Sequence, residues 1–119
     1  MEKYDLLPRQ LMHEGTCIKD NFFEPELPDM SRILAVHGEK YVADLLALTI
    51  GKRAARKIGF PLSKELVQRE LIIADGTMKA CDHALENGIA MNIAGGTHHA
   101  YTNHGEAFCL LNDQAIAAR

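Results

Sequence analysis

Six residues, Ile89-Ala90-Met91-Asn92-Ile93-Ala94, followed by Gly95-Gly96, set the terms on which this chain can fold. A short, nearly unbroken apolar run after a helix, ended by two glycines, predicts a parallel strand covered on both faces. A parallel strand must pair with others, each reached through a crossover of a dozen or more residues. The rest of the sequence offers only one weak extended stretch near its start. One strand is not a sheet, and the helices beside it need sheet surface to cover. The chain therefore reads as the helix-rich part of a larger α/β domain, although 119 residues would suffice for one modest domain.

The helical signals are clearest from Ser63 onward. Ser63 is a good N-cap and Glu65 sits favourably in the first turn. Val67, Leu71, Ala74, Met78, Cys81 and Leu85 step by four, three, four, three and four residues, which predicts one continuous apolar stripe. Asn87-Gly88 reads as its C-terminal cap. Gly76, inside the run, costs roughly 1 kcal/mol relative to Ala and suggests that a neighbouring segment approaches closely. Earlier, Ile33, Leu34 and Val36 form a short apolar turn ending at His37-Gly38. Tyr41, Leu45, Leu46 and Leu48 then recur at helical spacing up to Gly51. Lys52, Arg53, Arg56 and Lys57 read as a solvated helix end. The first 30 residues, broken by Pro8, Gly15, Pro25 and Pro28, are expected to be irregular. The segment from Phe108 to Arg119 is helix-prone, with Leu111, Ala115 and Ala118 on one face.

Composition narrows the function classes. The chain is 47% hydrophobic and 24% charged with a formal charge of −3, so the basic footprint of a nucleic-acid or membrane-surface binder is absent. No apolar run approaches the ~20 residues needed to span a bilayer. The charged opening Met-Glu-Lys-Tyr-Asp does not resemble a secretory signal. Cys17, Cys81 and Cys109 are an odd number with no CxxC spacing, and read as reduced thiols of a cytoplasmic protein.

The chemistry concentrates in Gly95-Gly96-Thr97-His98-His99-Ala100. Open α/β sheets bind ligands in the crevice beyond the C-terminal ends of their strands, where this segment is expected. Adjacent histidines diverge on a helix or strand, but in a loop freed by two glycines both imidazoles can turn to one point. Ordinary loop histidines would satisfy the spacing equally well. Three other chemistries remain open on the residues alone. A phosphate cradle would need a fuller glycine pattern. A metal site could draw on His98, His99 and His104. A nucleophilic Cys109 is possible, although its apolar neighbours Phe108, Leu110 and Leu111 would raise its pKa.

The stretch Gly95 to Ala118, GGTHHAYTNHGEAFCLLNDQAIAA, resembles the tandem-histidine region of the zinc-dependent histone deacetylase superfamily. HGEKYVADLL, IGFPLSKELVQREL and ALENGIAMNIAGGTHHA extend the resemblance across nearly the whole chain, most nearly to the class IV branch and its bacterial relatives. It implies that residues 1–119 are the opening part of a parallel-sheet, three-layer arginase/deacetylase-like domain that continues beyond Arg119. The implied reaction is hydrolysis of an N-acyl amide, typically acetyl-lysine. His98 and His99 would be the catalytic pair, His99 the favoured base and His98 its cationic partner. Phe108 would wall the substrate channel, with Ala107 beside it. Cys109 and Asn112-Asp113 would stabilise the loop-to-helix turn. The implied partners are acetylated lysine or a small acyl amide, with no direct nucleic acid and no membrane.

The sequence departs from the family at Ala107, where relatives usually have Gly; if the position needs positive φ, Ala costs on the order of 1–2 kcal/mol there. Asp75 and His104 also replace common family residues. The implied cofactor is zinc, whose ligands in the family lie in later motifs. Bringing bound water from a pKa of 15.7 to about 7 is worth on the order of 12 kcal/mol, against about 3–5 kcal/mol for acid–base help. The 119 residues alone are therefore expected to be inactive and poorly packed. The competing expectation is a non-catalytic module that binds acyl-lysine or a partner protein.

Overall fold

The computed structural model describes residues 2–119. Its axis is the helix predicted from Ser63. We number the helices in chain order: α1 (Lys3–His13), α2 (Met30–Leu34), α3 (Glu39–Leu46), α4 (Lys52–Ile58), α5 (Lys64–Asn87) and α6 (Asp113–Ala118), with a single 3₁₀ turn at Lys19–Asn21. Ser63 caps α5 by accepting the Leu66 N–H at 3.1 Å, and Gly88 ends it at φ +90° with its N–H on the Ala84 carbonyl.

The core forms where the first half of α5 meets α3, α6 and the segment before α6. Val67, Leu71 and Ala74 pack with Tyr41, Val42, Leu45, Leu110 and Ile116. The apolar stripe is not buried throughout, as its spacing predicts. Met78 is only partly buried, Cys81 is exposed, and Leu85 is 87% exposed. Periodicity identifies the apolar face of a helix but not how far a neighbouring layer extends along it. Gly76 does mark a close approach. A Cβ there would lie 2.9 Å from Asn92 Nδ2, which instead donates to the Ile73 carbonyl and the Thr77 hydroxyl, each at 2.9 Å.

The run Ile89 to Ala94 does not form the predicted strand. Among the described residues there is no ladder for it to join, only the isolated bridges Ala100–Gly105 and Glu106–Cys109. Without a partner strand its backbone groups have no sheet to enter, and Ile89 and Met91 face outward. The expected helix-rich character is present, while the sheet of an α/β domain is not found among these residues. The N-terminal segment differs in the opposite sense. Pro8 lies inside α1 and does not prevent it, because proline has a helical φ and forfeits one bond, to the Tyr4 carbonyl. No residue of α1 is buried.

The last helix starts at Asp113, not Phe108. Ala107 (φ +46°) and Phe108 (φ +66°) are left-handed, which excludes both from a right-handed helix. Asn112 supplies the cap instead, accepting the Ala115 N–H. The cluster Lys52, Arg53, Arg56 and Lys57 is solvent-exposed on α4, as predicted, and Lys57 pairs with Glu106 at 2.9 Å. No helix among the described residues is long and apolar enough to cross a membrane.

One buried group opposes this packing. Glu70 on α5 is 3% exposed; Arg69 pairs with its Oε1 at 2.7 Å, and Oε2 has no partner. Burial pushes its carboxyl above the ordinary 4.5, with Arg69 opposing and Asp113 adding to the rise. A raised pKa means that the folded state favours the protonated form. Stability is thus lost as pH rises from the ordinary value through the raised one. Glu70→Gln, which does not titrate, is expected to raise the melting temperature at pH 7 by the equivalent of about 1 kcal/mol. The gain should shrink towards pH 4. A variant no more stable than the parent at pH 7 would contradict this.

Candidate active site

The tandem histidines owe their position to a carboxylate they do not touch. Asp113 is fully buried at the start of α6. Its Oδ2 accepts the Gly96 N–H at 2.9 Å and the Thr77 hydroxyl from α5. Its Oδ1 accepts the Thr97 hydroxyl at 2.9 Å. An ionised carboxylate accepts only, and donor bonds to it are about twice as strong as neutral ones. The two glycines make this convergence possible in different ways. A Cβ on Gly95 would lie 2.9 Å from both Asp113 Oδ2 and the Thr77 hydroxyl. Gly96 has φ +100°, open to glycine and strained for other residues.

Beyond this anchor, both imidazoles are exposed and their ring centroids lie 4.1 Å apart at an interplanar angle of 41°. The two side chains therefore share one side of the loop. His98 Nδ1 lies 2.8 Å from the Gly96 carbonyl, which only accepts, so Nδ1 carries hydrogen and Nε2 faces outward. The His99 ring makes no hydrogen bond among the described residues, while its carbonyl accepts the Glu106 N–H at 3.1 Å. The Asn112 amide donates to the carbonyls of His98 (3.3 Å) and Ala100 (3.2 Å).

Phe108 is 60% exposed. The Ala107 and Phe108 N–H groups donate to the carbonyls of Lys57 (3.0 Å) and Ile58 (2.7 Å) at the end of α4. Its ring lies against Gly59 and 5.0 Å from the ring of Phe60. Phe60 and Phe108 border a cleft of about 700 Å³, with Ile73, Ala94, Thr97 and Arg69 among its other walls. Phe60 escaped sequence reading, as did Thr77. Asn92, the one polar residue in an apolar run, was a visible signal that a specific bond forms there.

The other chemistries left open by the loop find no support in this geometry. The Gly96 N–H, which a phosphate cradle would need, already binds a carboxylate. His104 stacks on Tyr101, with centroids 4.6 Å apart, and its Nε2 lies 3.4 Å from Glu106. Among the described residues no group of three His, Cys, Asp or Glu could hold a metal ion. Cys109 is buried, unlike the partly exposed thiols that act as nucleophiles.

Ala107 adopts the positive φ that the sequence raised as a possibility. Ala107→Gly is expected to stabilise the chain by about 1 kcal/mol, read as a higher melting temperature. A loss of stability would show that position 107 carries no strain.

The family model described as Histone deacetylase domain matches residues 1–119. An uncharacterised protein of Picosynechococcus is 42% identical over 119 residues, covering 100% of this chain and 40% of that protein. Histone deacetylase 2 of Arabidopsis thaliana is 29% identical over 122 residues, covering 96% and 31% respectively. The acetoin utilization protein AcuC of Bacillus subtilis is 25% identical over 103 residues, covering 78% and 27%. The crystal structure of an HDAC homolog from Aquifex aeolicus shares the fold with a TM-score of 0.80 at 23% identity, over 95% of this chain and 33% of that one. The chain thus spans no more than 40% of the length of these relatives.

Proposed function

Because this chain belongs to the histone deacetylase domain family, we propose that residues 1–119 form the N-terminal portion of a deacylase domain acting on acetyl-lysine or a related N-acyl amide. Two exposed imidazoles 4.1 Å apart carry this reading. His99, whose ring is free of hydrogen bonds among the described residues, serves as base. His98 keeps Nδ1–H on the Gly96 carbonyl in both charge states, which suits a donor and electrostatic partner. Phe108, with Phe60 behind it, sheathes the aliphatic stem of the acylated side chain. An HDAC homolog crystallised in complex with SAHA shares this fold, with a TM-score of 0.80. By analogy, an acyl-amide-like ligand in the cleft beside Phe108 is part of the proposal.

The family's zinc ion does not fit the residues present. No group of three potential ligands occurs among those described. Its ligands would come from outside these residues. What these residues supply is the acid–base pair, its anchoring and one channel wall.

An acetyl-lysine peptide titrated into the zinc-supplemented chain, with turnover assayed in parallel, tests the reading. We expect binding that depends on the acetyl group and weakens roughly tenfold in Phe108→Ala. We also expect no turnover above a His98→Ala, His99→Ala control. Equal affinity for the unacetylated peptide would contradict the substrate assignment. Turnover above the control would overturn the placement of the metal ligands elsewhere. The competing module that binds without catalysing is favoured if acyl-dependent affinity is unchanged in the double histidine variant.

A further inference from the structure

His37, at the junction of α2 and α3, is 1% exposed, and both of its ring nitrogens are engaged. Nδ1 lies 2.9 Å from the Tyr101 carbonyl, and Nε2 lies 3.1 Å from the Asn112 amide nitrogen. A carbonyl only accepts and a backbone amide only donates, so these two partners select a single state: neutral imidazole with hydrogen on Nδ1. A proton on Nε2 would set donor against donor at Asn112.

Both partners follow the tandem histidines in sequence, and both are tied to the histidine loop. Tyr101 closes the histidine loop, and the Asn112 side chain donates to the carbonyls of His98 and Ala100. Gly38, next to His37, also donates its N–H to the Thr102 carbonyl at 2.8 Å. We propose that His37 is a positioning residue for His98 and His99: through Tyr101 and Asn112, its Nδ1–H tautomer sets where the two imidazoles stand. This rests on the reading of His98 and His99 as the working pair, but its test needs no turnover. Burial lowers the His37 pKa, with the bond to Tyr101 opposing, which favours the neutral form. The titratable ring that faces it, Tyr41 at 5.9 Å, is kept in its neutral form by burial and donates to the Leu110 carbonyl. An amide side chain also carries a donor and an acceptor, whereas a phenyl ring supplies neither.

Long-range ¹H–¹⁵N correlation of the imidazoles in the uniformly labelled 119-residue chain tests this. At pH 7.5 His37 is expected to show protonated Nδ1 and unprotonated Nε2. In His37→Phe, which keeps a ring of similar size, Asn112 amide exchange should accelerate roughly tenfold, and the His98 and His99 ring signals should shift. Asn112→Asp keeps the α6 cap and removes the donors to His98 and Ala100. It should shift the same ring signals while the His37 tautomer persists. An Nε2–H tautomer in the parent chain overturns the proposal even if His37→Phe fails to fold. Unchanged His98 and His99 signals in a folded His37→Phe also overturn it. Either result leaves the acetyl-lysine titration to judge the functional reading separately.

Discussion

A buried carboxylate bound by three donors from two parts of the chain holds the functional end of this molecule together. Asp113 lies where α5 and α6 meet, and it takes the Gly96 amide and the Thr77 and Thr97 hydroxyls into one cluster. Burying an ionised group is expensive unless its oxygens are bonded, so the cluster succeeds as a unit or not at all. That requirement accounts for Gly95, whose missing Cβ leaves room for both Asp113 and Thr77. It also accounts for the departure of the chain at Gly96, which delivers His98 and His99 to the surface side by side. Glu70, nearby on α5, shows the alternative: a buried carboxylate with one oxygen unpartnered.

The same economy recurs at the aromatic wall. Phe108 could not project beside the histidine loop from a regular helix, so the chain passes through two consecutive left-handed residues. Their N–H groups close the end of α4 by binding the Lys57 and Ile58 carbonyls. Strain at Ala107 is thereby offset by satisfying carbonyls that a helix end otherwise leaves open. One stretch of irregular backbone both satisfies the last carbonyls of α4, which Gly59 ends at φ +87°, and presents a ring to the cleft.

Much of this was legible in the residues. The Ser63 cap and the Asn87-Gly88 stop depend on local stereochemistry, which sequence records directly, and a glycine inside a helix signalled the close approach of Asn92 at Gly76. Three features were not legible, for physical reasons. α1 was missed because proline weakens a helix without forbidding it. The outer half of the α5 stripe is apolar yet exposed, because burial depends on neighbours that periodicity does not count. Ile89 to Ala94 has the composition of a strand, but a strand exists only by pairing. At the site, the proximity of His98 and His99 could be anticipated from the glycines. The roles of Thr77, Phe60 and His37 could not, since each depends on contacts across long stretches of chain.

Native-state hydrogen exchange at the Gly96 amide tests the central claim most directly. Gly96 lies in an exposed loop, where an amide without a partner exchanges rapidly. Bound to Asp113, it is expected to exchange only as fast as the core amides of α5 around Leu71, which open with the whole structure. A Gly96 amide that exchanges as fast as an unprotected loop amide, while α5 remains protected, would show that the carboxylate does not hold the histidine loop.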